Sequence, residues 1–200
     1  MFVLGVDPGL SRCGYGAVRR DRGRWEVLSG GVLSTDRSTP LPQRLVALHR
    51  SLRELVAEVQ PDVVAVERVF FQTNARTAMA TGQASGLALL VAAEAGCDVA
   101  QYTPNEVKMA VCGSGSADKG QVQRMVSRIL GLASVPRPPD VADALALAVC
   151  HCTAGPLAAA AEAARGVGAS AGGGAPGGAA VGRRPVGAGI AGGRPVGADR

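Results

Sequence analysis

Apolar positions along this chain follow two different periods. Val3-Leu4-Gly5-Val6-Asp7 is a short apolar run closed by Pro8-Gly9, which predicts a buried strand ending in a turn. Residues 14–18 and 25–33 read as two further strands around the Asp21-Arg22-Gly23 turn, so the chain opens as a meander. The period then changes. Leu41, Leu45, Leu48, Leu52, Leu55, Val56 and Val59 recur at helical spacing, with Pro40 and Pro42 ahead and Pro61 behind. Asp62-Val63-Val64-Ala65-Val66-Glu67 is a second apolar run closed by a carboxylate. Residues 75–95 form a small-residue helix stopped by Gly96, and 97–102 form a fifth strand. Thr103-Pro104-Asn105-Glu106 is a capping box with proline at the first helical position, so a helix starts there. A glycine-serine loop follows at 113–116, then a helix at 118–132. After the Pro136-Arg137-Pro138-Pro139 breaker, an alanine-rich helix covers 140–152. Three strands, then alternating helix and strand, then helices, predict an α/β domain with one five-stranded mixed sheet flanked by helices.

Composition changes this picture at the C-terminal end. From Gly155 onward the chain is almost entirely Gly, Ala, Val, Pro and Arg, with two copies of R-P-V-G-A. Ordering that much glycine costs more entropy than its small side chains recover by burial. The expected organisation is a folded domain over 1–154 and a disordered low-complexity tail over 155–200. The net charge of +5 is shared unevenly. Arg165, Arg183, Arg184, Arg194 and Arg200 against Glu162 and Asp199 give the tail +3, leaving only about +2 for the domain. Any nucleic-acid surface must therefore be local. The five cysteines are scattered and odd in number, which suits a reduced, cytoplasmic protein. Cys150-His151-Cys152 is a poor zinc site, because neighbours on a helix point about 100° apart. The apolar stretch 86–93 is too short to span a bilayer, so no membrane role is expected.

Candidate chemistry comes from acids in unfavourable places. A carboxylate at the buried end of an apolar strand must be paired or bind a metal, and this chain does it twice, at Asp7 and Glu67. If those strands are neighbours, both acids meet at one sheet edge. Asp140 and Asp143 lie three apart on the last helix and share a face. Each acid has a bland alternative: Asp7 turned to solvent, Asp140 as a helix cap with Asp143 favouring the helix dipole. Four together, from three segments and without histidine, make a hard-oxygen site for Mg²⁺, with Mn²⁺ substituting. Two such ions activate a water and stabilise the leaving oxygen of a phosphodiester.

Two further signals accompany the acids. Of 21 cationic side chains only Lys108 and Lys119 are lysine, and they flank the 113–116 loop. A compact ammonium suits a phosphate; chance clustering on a solvated face is the alternative. Phe70 and Phe71 follow Glu67-Arg68-Val69 in a chain with six aromatics. Adjacent residues after a strand cannot both face one core, so one is expected beside the acids, where it could stack on a base. Packing on both sides of the sheet edge is the alternative.

V-D-P-G-L-S-R-C-G-Y-G, V-E-R-V-F, V-K-M-A-V-C-G-S-G-S-A-D-K and D-V-A-D-A-L-A-L-A-V-C-H-C, in that order, resemble the four motifs of the RuvC family, the bacterial crossover junction endodeoxyribonucleases. The resemblance covers residues 3–152. It implies an RNase H-like fold and a homodimer that resolves four-way (Holliday) DNA junctions by paired symmetric nicks, leaving 5′-phosphate and 3′-hydroxyl ends. It implies Asp7, Glu67, Asp140 and Asp143 as metal-binding catalytic carboxylates. Lys108 and Lys119 would be DNA-contacting lysines, Phe70 the aromatic at the crossover, and RuvA and RuvB the branch-migration partners. Some members carry His where this chain has Asp140, and the tail inherits no role.

Three other readings compete. A YqgF-type nuclease shares the opening motif, but the lysine pair, V-E-R-V-F and the D-x-x-D helix favour the resolvase. A sugar-kinase or actin-like ATPase needs two such domains, and 154 residues are too few. A non-catalytic junction-binding module would have no use for four acids.

Overall fold

The computed structural model describes the backbone of residues 1–68 and 75–166, and the side-chain surroundings of 1–68 and 78–155. Strands β1 (Phe2–Asp7), β2 (Arg12–Asp21) and β3 (Arg24–Ser34) form the expected meander. Helix α1 (Leu41–Val59) leads to β4 (Val63–Glu67), and α2 (Ala75–Glu94) to β5 (Asp98–Tyr102). Helices α3 (Pro104–Cys112), α4 (Lys119–Ile129) and α5 (Pro139–Gly166) complete the chain. The sheet order is β3-β2-β1-β4-β5, with β1 antiparallel to β2 and parallel to β4.

The two-residue period of a strand assigns each side chain to a face. Leu4, Val6, Val64 and Val66 point to one side, where Leu48, Leu52, Leu55 and Val56 of α1 and Ala84, Ala88 and Val91 of α2 cover them. Val3, Val18, Val63 and Ala65 point to the other, under α3, α4 and α5. Each fully buried leucine or valine contributes about 1.5–3 kcal/mol. The same alternation directs Asp7 and Glu67 to the α5 side.

Local signals account for the helix ends. Thr103 and Glu106 form the expected capping box, and Asp118 and Gln121 form a second that opens α4. Gln60 closes α1 in the left-handed region with its N–H on the Val56 carbonyl, and Pro61 prevents continuation. The last helix is longer than the expected 140–152: α5 runs from Pro139 to Gly166. Residues 157–165, L-A-A-A-A-E-A-A-R, are strong helix formers. Pro156 has no N–H to offer the Cys152 carbonyl one turn back. Arg20 takes that carbonyl instead, at 2.6 Å, with its guanidinium over the Trp25 ring at 4.8 Å. The tail beyond 166 lies outside the described residues.

The small residues of α2 divide between two faces: Ala78, Ala84 and Ala88 are buried, while Gly82 and Gly86 face outward, with Met79 and Leu90 exposed on the same turns. Among the described residues no helix is long and apolar enough to cross a membrane.

Candidate active site

Val6 of β1 pairs with Val66 of β4, so the next residues, Asp7 and Glu67, end adjacent parallel strands side by side. The third and fourth acids come from the first two turns of α5, which lies closer to the sheet than a helix normally can. A Cβ on Gly5 would stand 1.9 Å from the Ala144 carbonyl oxygen, and one on Gly14 would stand 2.3 Å from that of Asp140. Glycine at both positions lets the helix rest on bare strand backbone, directly beside the two strand-end acids. The structure thus brings Asp7, Glu67, Asp140 and Asp143 into one neighbourhood.

Within it the acids fall into two pairs. Burial pushes the Asp7 carboxyl up to about 7, and the negative charges of Glu67, Asp143 and Asp140 add to the shift. Glu67 is raised by burial and by Asp143. Neither is ion-paired with a cation among the described residues. Asp140 and Asp143 are held. Arg12 grips Asp140 with Nη2 on Oδ2 at 2.8 Å and Nε on Oδ1 at 3.3 Å, which holds the Asp140 carboxyl below its ordinary range. Lys119 Nζ donates to Asp143 Oδ2 at 2.6 Å, and that bond raises the lysine's own affinity for its proton.

Asp7, Glu67 and Asp143 line a cleft of about 350 Å³ together with Lys108 and Lys119. The two lysines reach it from opposite sides of the 113–118 loop: Lys108 projects from α3, and the second capping box sets Lys119 at the start of α4. A larger hollow of about 670 Å³ runs along α4 past Gln121, Arg124 and Arg128, and its wall has no acidic residue. Phe70 and Phe71 lie outside the described residues. Cys150 and Cys152 are buried, and burial pushes their thiols up to about 12 and about 11. His151 Nδ1 lies 2.7 Å from the Tyr102 hydroxyl.

The donor set fits a hard divalent cation: every candidate ligand is a carboxylate oxygen, and the inner pair is desolvated with no fixed positive partner. Among the described residues, no three His, Cys, Asp or Glu side chains converge closely enough to hold a metal as they stand. In this arrangement Asp140 is paired with Arg12 and Asp143 with Lys119. Arg12 has no counterpart among the residues that the sequence singles out. It is one of 19 arginines, and nothing local in the sequence distinguishes it.

The family model described as crossover junction endodeoxyribonuclease RuvC matches residues 3–151. A crossover junction endodeoxyribonuclease RuvC from Salinispora arenicola is 56% identical over 170 residues, covering 82% of this chain and 97% of its own. One from Chloroflexus aggregans is 49% identical over 156 residues, covering 78% of this chain and 95% of its own. The solved structure of Thermus thermophilus RuvC superposes with a TM-score of 0.74 at 38% identity, covering 79% of this chain and 97% of that one. The same protein solved in complex with a Holliday junction substrate gives the same score and identity. The fold is thus RNase H-like, and the chain belongs to the RuvC family of crossover junction endodeoxyribonucleases.

Proposed function

We propose that this protein resolves four-way DNA junctions by metal-dependent hydrolysis of two phosphodiester bonds, leaving 5′-phosphate and 3′-hydroxyl ends. One observation carries the reading: Asp7 and Glu67, on adjacent strands, open into a cleft that also presents Asp143, Lys108 and Lys119. The three acids, with Asp140 from the same helical turn as Asp143, would hold Mg²⁺, or Mn²⁺ in its place. Bound there, such ions would supply an activated water and charge stabilisation for the leaving oxygen of a phosphodiester. Lys108 and Lys119 neutralise phosphates at the cleft wall and keep the scissile strand beside the acids. Val107, Val122, Ala146 and Leu147 supply the apolar part of the cleft wall. Phe70 keeps the role its motif implies, stacking on a base at the crossover.

Symmetric nicking needs two cleavage sites. The protein acts as a homodimer through the outer face of α2, where Met79 and Leu90 are exposed and nothing lies within 4 Å of a Cβ built on Gly82 or Gly86. Sedimentation of Gly86→Leu checks this: a monomer is expected, and an unchanged dimer contradicts it. RuvA and RuvB remain the expected partners by family.

The test of the whole reading is nick mapping on an end-labelled mobile junction with Mg²⁺. Paired nicks at symmetric positions in two strands of like polarity are expected, with none on the matching linear duplexes. Cleavage of structured RNA in preference to the junction would favour the YqgF-type alternative.

A further inference from the structure

Asp140 differs from the other three acids in having both carboxylate oxygens taken by one cation. Arg12 holds Oδ2 through Nη2 and Oδ1 through Nε. Lys119, by contrast, reaches only one oxygen of Asp143. The consequence is visible in the cleft, whose wall includes Asp7, Glu67 and Asp143 but not Asp140.

Both ends of this pair are mounted on fixed backbone. Arg12 and Gly14 lie two apart on β2 and face α5, and the contact at Gly14 leaves the Asp140 main chain no room to approach further. Side-chain rotation alone therefore decides whether the pair is closed or open. The Arg12 side chain is 49% exposed, that of Asp140 23%, so the guanidinium is open to a solvent-borne anion on the helix turn that precedes Asp143. A guanidinium fork binds a phosphate as well as it binds a carboxylate, two oxygens at a time.

We propose that Arg12 exchanges Asp140 for a backbone phosphate of the bound junction, releasing both oxygens of Asp140 to the divalent ion. Arg12 is then a positioning residue that couples ion loading to strand binding. The inference rests on the cleft being the metal-dependent site proposed above. No covalent bond changes in the exchange: one ion pair is replaced by another, and the freed carboxylate gains the metal. By linkage the effect is reciprocal, so junction tightens the ion by the same factor by which the ion tightens the junction.

The experiment is Mn²⁺ titration of the full chain, followed by electron paramagnetic resonance, with and without a four-way junction carrying hydrolysis-resistant linkages at the crossover. Ions bound by the junction alone are subtracted. For the wild type, the junction is expected to tighten Mn²⁺ by a factor in the range typical of coupled sites, roughly 5–150-fold. Arg12→Ala is expected to bind Mn²⁺ without DNA about as tightly as the wild type does with it, and to lose most of the coupling. Arg12→Lys, a single point charge, is expected to lie between them. Arg12→Gln removes the charge, keeps a shorter polar side chain in place, and serves if the alanine variant melts early.

Mn²⁺ binding that depends on Asp7 but is equal or weaker in Arg12→Ala, with junction coupling intact, would overturn this inference and leave the cleft reading standing. Mn²⁺ binding unaffected by Asp7→Asn would overturn the cleft reading, and the inference with it.

Discussion

On one face of the sheet, α1 and α2 stand a full side chain away from the strands, with Leu48, Leu52 and Val91 meeting Leu4, Val6, Val64 and Val66. On the other, α5 rests on Gly5, Gly14 and Gly16 with almost nothing in between. The first contact is deep and deformable, the second shallow and exact in position. Apolar side chains of similar volume can be exchanged at small cost, whereas a carbonyl oxygen pressed against a glycine cannot retreat without taking the helix with it. The acids are mounted on the second contact. Asp7 and Glu67 end the two strands on that face, and Asp140 and Asp143 begin the helix laid across it.

The largest effect that would break this contrast is expected from Gly5→Ala. The new methyl would collide with the Ala144 carbonyl and lift α5, costing roughly 1–3 kcal/mol or more. Misplacing reacting groups by about 1 Å costs on the order of 100-fold in rate, so nicking should fall by at least that much even in the fully folded fraction. Retained nicking would mean that α5 does not set the acids. Leu52→Ala, on the opposite face, should destabilise by about 2–5 kcal/mol, because it leaves a cavity under α1. Its nicking per folded molecule should be unchanged. Denaturant melts and rates measured on both variants separate the two faces.

The acid face should also carry a stability penalty. The folded value for Asp7, about 7, lies above its ordinary 3.8, so the folded protein binds this proton more tightly than the unfolded chain. The contribution favours folding below about pH 4 and is lost as pH rises through 7. At three pH units' separation it is worth up to about 4 kcal/mol. In EDTA at pH 8, Asp7→Asn should therefore melt above the wild type, with the gap shrinking toward pH 4. Mg²⁺ should narrow or reverse the gap at pH 8. A variant that melts lower than wild type at pH 8 in EDTA would show that the crowding is relieved some other way.

The smallest expected effect belongs to the cleft wall. Lys108→Ala should weaken junction binding and reduce the slope of log affinity against log salt by about one. An unchanged slope would remove Lys108 from the phosphate contacts.

Much of this arrangement was legible in the sequence because it breaks local rules. An acid closing an apolar strand is conspicuous, and two of them, with strand alternation, already place Asp7 and Glu67 on one face once β1 and β4 are neighbours. Thr103-Pro104-Asn105-Glu106 announces its helix in the opposite way, by obeying a local rule. What stayed hidden had no local signature. Arg12 acquires meaning only from a residue 128 positions away. The two faces of α2 have no clear signature in the sequence, because small residues occur all around its first half, and only packing tells Ala84 from Gly86. The continuation of α5 to Gly166 has only alanine's helix propensity to mark it, with no apolar stripe or cap.

Asp7 is expected to act through a metal on a bound junction and to contribute nothing to holding the junction itself. Asp7→Asn and wild type should be compared on one labelled four-way junction, measuring affinity and nicking in the same Mg²⁺ buffer. The account requires affinity equal to or tighter than wild type, since a charge repelling phosphate has been removed, with nicking abolished. Nicking at the wild-type rate would contradict it, as would a loss of nicking fully explained by lost binding.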